Sequence, residues 1–385
     1  MDPLVIIGTG LAGYTLAREW RKLEKTHPLL LLTQDGGESY SKPMLSAACS
    51  KQKGPDDLII SRADAMASAL GAEVRTHVKV QQINASDKSL ILHSGEKIFW
   101  NKLVLACGAD PFRLPLAGNA AHSVHSVNDL DDYRRFRAQL HPGARLGILG
   151  GGLIGCEFAH DFADAGFAVG VHEASPTLLS ALLPADVAQY LYSALRNKNV
   201  QIYCGTGVVA IDRNPENGSL VVKSNTLSYE YDVVLSAVGL RPRIDLALSC
   251  DIETDRGILV DSWLRTSVDD IFALGDCAQR RGEMVLPYVL PLMNQARTLA
   301  RNLQQPELEL RYPVMPIVVK TPDFPWVIVP PARTVQGSWQ WVQNEDGVEG
   351  SFVDQNQLLR GYILGGKAAS DSTVKARYLN MVQPY

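Results

Sequence analysis

Two glycine-rich turns, each placed between an apolar run and a segment of helical periodicity, constrain the fold of this chain most. The first turn reads Gly8-Thr9-Gly10-Leu11-Ala12-Gly13 and follows the apolar run 4–7. The second reads Gly150-Gly151-Gly152-Leu153-Ile154-Gly155 and follows the run 145–149. In the pattern G-x-G-x-x-G, the first glycine makes a tight bend, the second lets the backbone approach a pyrophosphate, and the third lets the helix pack closely on the strand. Both segments are therefore predicted to form strand, turn and helix, with phosphate groups at the N-terminus of the helix.

An acidic residue follows each turn. Glu173 follows Gly155 by 18 residues, at the end of the apolar run 168–171. This spacing is typical of the carboxylate that accepts hydrogen bonds from the ribose of NAD. Because Glu173 would repel a 2′-phosphate and residues 174–177 contain no Arg or Lys to neutralise one, NADH is expected to be preferred over NADPH. Asp35 follows the apolar run 29–32, and it either holds a ribose or belongs to a turn.

The composition excludes several classes of protein. With 385 residues, 46% of them hydrophobic and 20% charged, the chain has the length of two or three globular domains. The formal net charge of -4 does not favour nucleic acid or anionic lipid as a partner. The apolar runs stop far short of the roughly 18 to 20 residues of a spanning helix, and the N-terminus shows no secretory leader. We therefore expect a soluble, cytoplasmic protein without direct membrane insertion.

The cysteines also argue for a reducing compartment. There are six of them, and they include no C-x-x-C pair and no spacing typical of a metal site. Since disulfides are rare in the cytoplasm, these residues are interpreted as reduced thiols, and no metal is predicted.

Together with three further motifs, the two turns resemble the FAD- and NAD(P)-dependent pyridine nucleotide-disulfide reductase superfamily. These motifs are residues 103–109, their echo at 233–242, and the stretch 266–276, and the resemblance extends to about residue 312. It implies an α/β fold with two Rossmann-like dinucleotide-binding domains, one for FAD and one for NAD, and a small α+β C-terminal domain. The implied FAD-binding domain is discontinuous, comprising residues 1–112 and 243–312. The implied NADH-binding domain covers 113–242, and the C-terminal domain covers 313–385.

The same resemblance implies the cofactors and the residues that bind them. FAD is held non-covalently, and Asp276 bonds its ribityl chain. The implied FAD-binding residues are Gly8, Thr9, Gly10, Leu11, Ala12, Gly13, Thr33, Gln34, Lys42, Val80, Ala106, Gly108, Asp276, Val289 and Lys320. The implied NAD-binding residues are Gly150, Gly152, Leu153, Ile154, Gly155, Glu157, Glu173, Val238 and Gly239.

What the chain lacks selects a branch within the superfamily. Disulfide reductases need two cysteines that the flavin can reach and the peroxidase branch needs one, but here the corresponding segment 40–46 has none. Cys49 and Cys277 are interpreted as packing residues. The segment 40–46, with 319–322 and Gly361-Tyr362, resembles the branch of rubredoxin-NAD reductases and its flavorubredoxin-reducing relatives. Residues 321–326 and Ala47 depart from the pattern of oxygenase-coupled ferredoxin reductases.

That branch implies electron transfer from NADH through FAD to rubredoxin, an acidic iron carrier, in support of alkane hydroxylation. The implied catalytic residues are Lys42 and Lys320, as cations beside the flavin, and Glu157 near the nicotinamide. The alternatives are a reductase of flavorubredoxin or ferredoxin, a peroxide or disulfide reductase, and an interaction protein regulated by NADH and FAD. The sequence predicts no oligomeric state. A basic collar that attracts rubredoxin is expected from Lys51, Lys53, Arg280, Arg281 and Lys367.

Overall fold

The computed structural model of the chain describes residues 1–305, 308–344 and 346–383. Its backbone contacts divide the chain into two units, and each unit is assembled from three segments. Unit 1 comprises Met1–Ser41, Ile59–Asp110 and Leu240–Tyr312. Unit 2 comprises Lys42–Leu58, Pro111–Gly239 and Pro313–Tyr385. None of the described helices combines the length and the apolar character that crossing a membrane requires.

Strands and helices alternate in the segments that contain the two glycine turns, whereas residues 73–126 and 201–242 form successive strands with no α-helix between them. The α-helices are α1 (Leu11–Leu23), α2 (Ala63–Leu70), α3 (Leu130–Arg137), α4 (Leu153–Asp164), α5 (Ala185–Asn197), α6 (Asp245–Leu248), α7 (Val289–Asn302), α8 (Lys367–Ser370) and α9 (Ser372–Met381). Short 3₁₀ segments lie at Lys42–Ala47, Asp56–Leu58, Ala121–Ser123 and Gly275–Cys277. The strands up to residue 126 are β1 (Leu4–Ile7), β2 (Leu29–Leu32), β3 (Ser39–Tyr40), β4 (Ile59–Ser61), β5 (Glu73–Arg75), β6 (Val80–Asn84), β7 (Ser89–Leu92), β8 (Lys97–Phe99), β9 (Lys102–Leu105), β10 (Ala109–Pro111) and β11 (His125–Ser126). The later strands are β12 (Arg145–Leu149), β13 (Ala168–Glu173), β14 (Gln201–Cys204), β15 (Val208–Arg213), β16 (Leu220–Ser224), β17 (Ser228–Tyr231), β18 (Val233–Ser236), β19 (Leu240–Pro242), β20 (Ile258–Val260), β21 (Ile271–Ala273), β22 (Ala278–Arg280), β23 (Ile317–Val319), β24 (Trp326–Val329), β25 (Gly337–Asn344), β26 (Gly347–Asp354) and β27 (Leu359–Gly366).

A parallel five-stranded sheet forms the centre of unit 1. The strand order is β21-β9-β1-β2-β5, and every neighbouring pair is parallel. Strand β2 consists of four leucines that are all buried, as expected for a strand covered on both faces. The antiparallel ribbon β6-β7-β8 accompanies this sheet. The predicted strand, turn and helix at residues 4–23 are β1, the glycine turn and α1.

Unit 2 repeats this plan. Its parallel sheet has the order β11-β18-β12-β13-β14, and the antiparallel ribbon β15-β16-β17 accompanies it. Gly147 and Gly170 lie opposite each other on neighbouring strands. A Cβ atom at either position would lie within 2.6 Å of the Tyr231 ring or hydroxyl, so the two glycines form the slot that holds this buried side chain.

The last part of unit 2 is an antiparallel sheet with helices. The strand order is β23-β24-β27-β26-β25, and all its neighbouring pairs are antiparallel. Tyr378 of α9 packs with residues of β24 and β27 in one apolar cluster. The predicted fold class, two Rossmann-like domains and a small α+β C-terminal domain, is confirmed. The predicted domain boundaries stay a prediction, and Lys42–Leu58, which they assign to the FAD-binding domain, belongs by its contacts to unit 2.

Candidate functional site: two nucleotide cradles and a buried carboxylate

The first glycine turn has the geometry of a phosphate cradle. Gly8 adopts φ +112°, and a Cβ atom there would lie 2.3 Å from the carbonyl oxygen of Ala106. A Cβ atom on Gly13 would lie 1.9 Å from the carbonyl oxygen of Gly8. Gly10 is the N-cap of α1, and as a glycine it has no side chain that could cap the first N–H groups of the helix. The space around its Cα is open. This turn therefore fits the pyrophosphate of a dinucleotide.

The second turn has nearly the same geometry. Gly150 adopts φ +103°, and its Cβ atom would lie 2.7 Å from the carbonyl oxygen of Ala237. A Cβ atom on Gly155 would lie 1.9 Å from the carbonyl oxygen of Gly150. Gly152 is the N-cap of α4, and the space around it is open. The second turn therefore fits a pyrophosphate for the same reasons as the first.

The acids that follow the turns differ in their contacts. The Glu173 carboxylate accepts hydrogen bonds from the backbone N–H of Gly151 and of Ser175, both at 2.6 Å, so it is fixed beside the second turn. Asp35 Oδ1 accepts bonds from Thr33 Oγ1 at 2.7 Å and from the backbone N–H of Gly37 at 3.0 Å, and a longer one from Thr9 Oγ1 of the first glycine turn at 3.5 Å. Of the two roles that the sequence leaves open for Asp35, these contacts support the turn.

Further residues of the predicted FAD site come together in unit 1. Ala106 lies against Gly8, and a Cβ atom on Gly275 would lie 2.8 Å from Cβ of Ala12. Asp276 therefore lies in a segment that approaches the start of α1. Gly108 has φ +71°. Four other predicted residues lie as follows: Thr33 is buried, Gln34 is exposed, Val80 begins β6, and Val289 begins α7 with 39% of its surface exposed.

A buried carboxylate connects three segments of unit 2. Glu157 on α4 has no exposed surface, and its Oε2 accepts a hydrogen bond from Ser46 Oγ at 2.6 Å. Lys320 contacts both carboxylate oxygens: its backbone N–H lies 2.9 Å from Oε1, and its Nζ lies 2.9 Å from Oε2. Lys320 Nζ also donates to Ser46 Oγ at 3.0 Å and to the carbonyl oxygen of Pro43. These contacts satisfy the carboxylate and balance its charge, which a buried ion requires.

Two of the three predicted catalytic residues, Glu157 and Lys320, thus form one ion pair. The third, Lys42, precedes Pro43, and its Nζ donates to Asn128 Oδ1 at 2.8 Å. Sequence reasoning did not identify Ser46 or Asn128. Ser46 closes the family-like segment 40–46, and this was the one signal that could have indicated it.

The remaining predicted NAD-binding residues surround the second turn. Leu153 and Ile154 begin α4, and Ile154 is 43% exposed. Val238 and Gly239 follow β18, and Val238 Cγ1 lies 3.2 Å from the position of a Cβ on Gly150. Gly239 has φ +112°, and its carbonyl oxygen accepts a bond from the backbone N–H of Phe112 at 2.9 Å.

Cys49 and several basic residues that the sequence analysis singled out have ordinary partners within the protein. Cys49 is buried, and its backbone N–H donates to Asp161 at 2.9 Å. In the predicted collar, Arg281 pairs with Glu253 at 2.7 Å, and Arg280 pairs with Glu283. Lys51 and Lys53 are exposed, and Lys367 lies 3.6 Å from Asp346.

A cluster of titratable groups lies at the other end of α4. His160 Nε2 lies 2.9 Å from Asp323 Oδ2, and its Nδ1 lies 3.2 Å from Asp164 Oδ2. Lys198 Nζ contacts both carboxylates, at 2.5 Å for Asp323. The cluster is thus an ion-pair network in which one lysine ammonium lies between two carboxylates. Burial lowers the pKa of His160.

Comparison with known proteins places these features in a family. Residues 2–294 match the pyridine nucleotide-disulphide oxidoreductase family, and residues 309–377 match the rubredoxin binding C-terminal domain. The chain is 44% identical to a protein of Alcanivorax borkumensis named rubredoxin-NAD(+) reductase, with 100% of both chains covered. It is 35% identical to a nitric oxide reductase FlRd-NAD(+) reductase of Aeromonas hydrophila, over 95% of this chain and 94% of the relative.

Among solved structures, the covalent putidaredoxin reductase–putidaredoxin complex contains a chain with a TM-score of 0.89 at 22% identity. The match covers 99% of this chain and 93% of that chain, and it shows a shared fold. The family match spans both glycine turns, and the 44% identical relative is aligned over its entire length. The chain therefore belongs to the pyridine nucleotide-disulphide oxidoreductase family.

Proposed function

We propose that this protein is an NADH-dependent FAD flavoprotein that reduces rubredoxin. The observation that carries the proposal is the match of residues 309–377 to a rubredoxin binding domain, in a chain with two nucleotide cradles. The full-length 44% identity to a rubredoxin-NAD(+) reductase supports the same acceptor. The 35% identical relative named for FlRd favours flavorubredoxin as the second candidate acceptor.

The two cradles have separate roles in this proposal. The turn Gly8–Gly13 would hold the pyrophosphate of FAD, with Ala106, Gly108 and Asp276 beside it. The turn Gly150–Gly155 would hold that of NADH, with Glu173 as the ribose acceptor. When bound, FAD accepts the two electrons of NADH together and passes them on singly. In both cradles the N-terminal N–H groups of the helix bind the phosphates without a cationic side chain.

The ion pair of Glu157 and Lys320 would set the charge of the reaction site. Because Glu157 is fully buried and accepts from Ser46 and Lys320, its carboxylate is held in one position. Lys320 retains 33% side-chain exposure, so its ammonium can serve a second anionic partner. Lys42 would supply a second cation, oriented by Asn128. A cation close to the flavin stabilises the negative charge that reduction adds.

Glu173 would also select the coenzyme. Its carboxylate is fixed by two backbone N–H groups, so it cannot turn away from a 2′-phosphate without losing both hydrogen bonds. This arrangement favours NADH over NADPH. We also propose that the chain has the three domains predicted from its sequence, that it is located in the cytoplasm and that it supports alkane hydroxylation.

Steady-state kinetics with three purified carriers tests the proposed acceptor. NADH oxidation by the FAD-loaded protein is followed with rubredoxin, flavorubredoxin or ferredoxin at one NADH concentration, and kcat/KM is compared. We expect the highest value with rubredoxin. A higher value with either other carrier would reject rubredoxin as the acceptor. Turnover with an artificial one-electron acceptor but with none of the three carriers would reject carrier reduction altogether.

A further inference from the structure

Ser46 lies between the two charged groups of the buried ion pair in unit 2. Its side chain is buried, and its Oγ lies 2.6 Å from Glu157 Oε2 and 3.0 Å from Lys320 Nζ. Because Lys320 Nζ also lies 2.9 Å from the same Oε2, these three atoms form a closed triangle. A carboxylate only accepts hydrogen bonds and an ammonium only donates them, so the hydroxyl donates to Glu157 and accepts from Lys320. The carbonyl oxygen of Pro43, at 3.4 Å, is a more distant acceptor for the same hydroxyl.

We propose that Ser46 is a positioning residue of the reaction site. Its hydroxyl bridges Glu157 and Lys320 and so sets how much of the positive charge of the lysine acts on the flavin. Ser46 acts through the ion pair and not on the reacting atoms themselves. The inference rests on the proposed function, in which Lys320 is a cation close to the flavin.

The donors and acceptors around Lys320 explain this role. Its ammonium has three N–H donors, and the structure gives it three acceptors, namely Glu157 Oε2, Ser46 Oγ and the carbonyl oxygen of Pro43. Without the hydroxyl, Oε2 loses a donor and the lysine loses an acceptor, so the lysine neutralises more of the carboxylate charge. Less of its positive charge then remains to stabilise the reduced flavin, and the reduction potential should become more negative.

A second contact between a serine and a carboxylate on α4 provides a comparison within the same unit. Ser50 and Asp161 lie four residues beyond Ser46 and Glu157, respectively, and Ser50 Oγ donates to Asp161 Oδ1 at 2.5 Å. Asp161 also accepts from the backbone N–H groups of Cys49 and Ser50, at 2.9 and 3.0 Å. All these donors are neutral, whereas an ammonium completes the contact at Ser46. The Ser50 contact therefore attaches the segment to α4 through neutral groups.

The reduction potential of the bound flavin tests the proposal. The full-length, FAD-loaded protein is reduced together with a reference dye, in the absence of NADH and rubredoxin, and the absorbances of flavin and dye are compared. For Ser46→Ala we expect the equilibrium constant of two-electron reduction to fall about threefold, which is a shift of about 14 mV to a more negative potential. Ser46→Thr keeps a hydroxyl and should restore the potential. An unchanged potential in Ser46→Ala, or an equal shift in Ser46→Thr, would overturn the proposal.

Ser50→Ala is the matched control, because it removes a bond between a serine and a carboxylate from the same segment and helix. It should leave the potential unchanged, and a shift equal to that of Ser46→Ala would assign the effect to the attachment of the segment and reject the proposal. In a protein that already carries Lys320→Met and Glu157→Gln, Ser46→Ala should no longer shift the potential. A shift that persists there would show that Ser46 does not act through the ion pair.

Two further outcomes are decided by the same measurement. If Ser46→Ala does not fold, Ser46→Cys replaces it, since a thiol is a weaker donor and should give a smaller shift in the same direction; no shift would again reject the role of Ser46. A protein that retains no flavin would reject the proposed function and this inference together. An unshifted potential in a protein that still reduces rubredoxin would reject only the inference.

Discussion

The two glycine cradles can be compared position by position, because the strands beside them are in the same register. Ile7, before the first turn, lies opposite Leu32, and Leu149, before the second, lies opposite His172. The N–H of Gly8 donates to the Leu32 carbonyl oxygen at 2.8 Å, and that of Gly150 to the His172 carbonyl oxygen at 2.7 Å. The backbone that would hold a phosphate is therefore nearly the same in both units.

The side chains around the cradles differ. Thr33 follows Leu32, and Glu173 follows His172, whose carbonyl oxygens accept the equivalent bonds from Gly8 and Gly150. Thr33 and Glu173 therefore occupy equivalent positions. Thr15 occupies the position of Glu157, two residues beyond the third glycine. Thr15 is buried and neutral, and it lies 3.8 Å from Met293 Sδ. The two units thus share the part that recognises any dinucleotide and differ in charge at the positions that would meet the ribose and the redox partner.

The largest effect is expected from adding one methyl group to the third glycine of either turn. In Gly13→Ala and Gly155→Ala, the new Cβ would lie 1.9 Å from a backbone oxygen, so the helix must move away from its strand. Overpacking against backbone should lower the free energy of unfolding by about 3 kcal/mol. Gly13→Ala should abolish FAD retention, and Gly155→Ala should abolish NADH binding while FAD stays bound. Urea unfolding and the flavin absorbance spectrum measure these effects.

Gly10→Ala and Gly152→Ala are the matched controls, because the space around both glycines is open. Their unfolding free energy should change by about 1 kcal/mol or less. If Gly13→Ala is no more destabilising than Gly10→Ala, the close approach of helix and strand does not explain the third glycine.

The sequence predicted both cradles because each is encoded by a contiguous pattern with its own steric reason. In the C-terminal domain, the short β-like runs 314–319, 339–342 and 359–364 predict strands, and they overlap β23, β25 and β27, whereas β24 and β26 are not predicted. Contacts between distant segments have no such local pattern. Glu157 and Ser46 meet only because α4 and the segment Lys42–Leu58 pack in one unit, and the slot for Tyr231 depends on glycines of two different strands.

At one equivalent strand position, unit 1 has Leu32 and unit 2 has the buried His172. Burial lowers the pKa of His172 to about 4, and its Nδ1 has no hydrogen-bond partner among the residues that the structure describes. As the pH falls from about 6.5 towards 4, the unfolded chain therefore binds a proton that the folded chain does not. This group should reduce the unfolding free energy by about 3 kcal/mol at pH 4 relative to pH 7.

Urea unfolding of His172→Leu at several pH values isolates this contribution. The substitution also removes the 2.9 Å contact between His172 Nε2 and the Tyr231 hydroxyl. Tyr231→Phe removes the same contact but keeps the histidine, so it serves as the matched control. We expect a shallower acid destabilisation in His172→Leu than in Tyr231→Phe, and equal slopes would contradict the assignment.

Removal of the cation beside Glu157 should have a smaller effect. Lys320→Met leaves a buried carboxylate that retains the Ser46 hydroxyl and a backbone N–H as donors. Because the lysine is one-third exposed, we expect a loss of about 2 kcal/mol in unfolding free energy, below the usual cost for a fully buried pair. Adding Glu157→Gln to Lys320→Met should restore part of it, since the orphaned charge is then absent. Destabilisation that is additive in the double variant would show that the two residues do not act as a pair.

The smallest effect is expected where the cradles differ in their acids. Glu173→Ala removes a carboxylate that two backbone N–H groups fix beside the second turn. We expect the KM for NADH to rise about tenfold, which corresponds to about 1.4 kcal/mol, with little change in kcat. Asp35→Ala removes an acid whose Oδ1 is engaged by its own turn, so the affinity for FAD should change by less than about twofold. If Asp35→Ala weakens FAD binding as strongly as Glu173→Ala weakens NADH binding, both acids serve a ribose, and the difference in charge between the cradles is confined to Glu157.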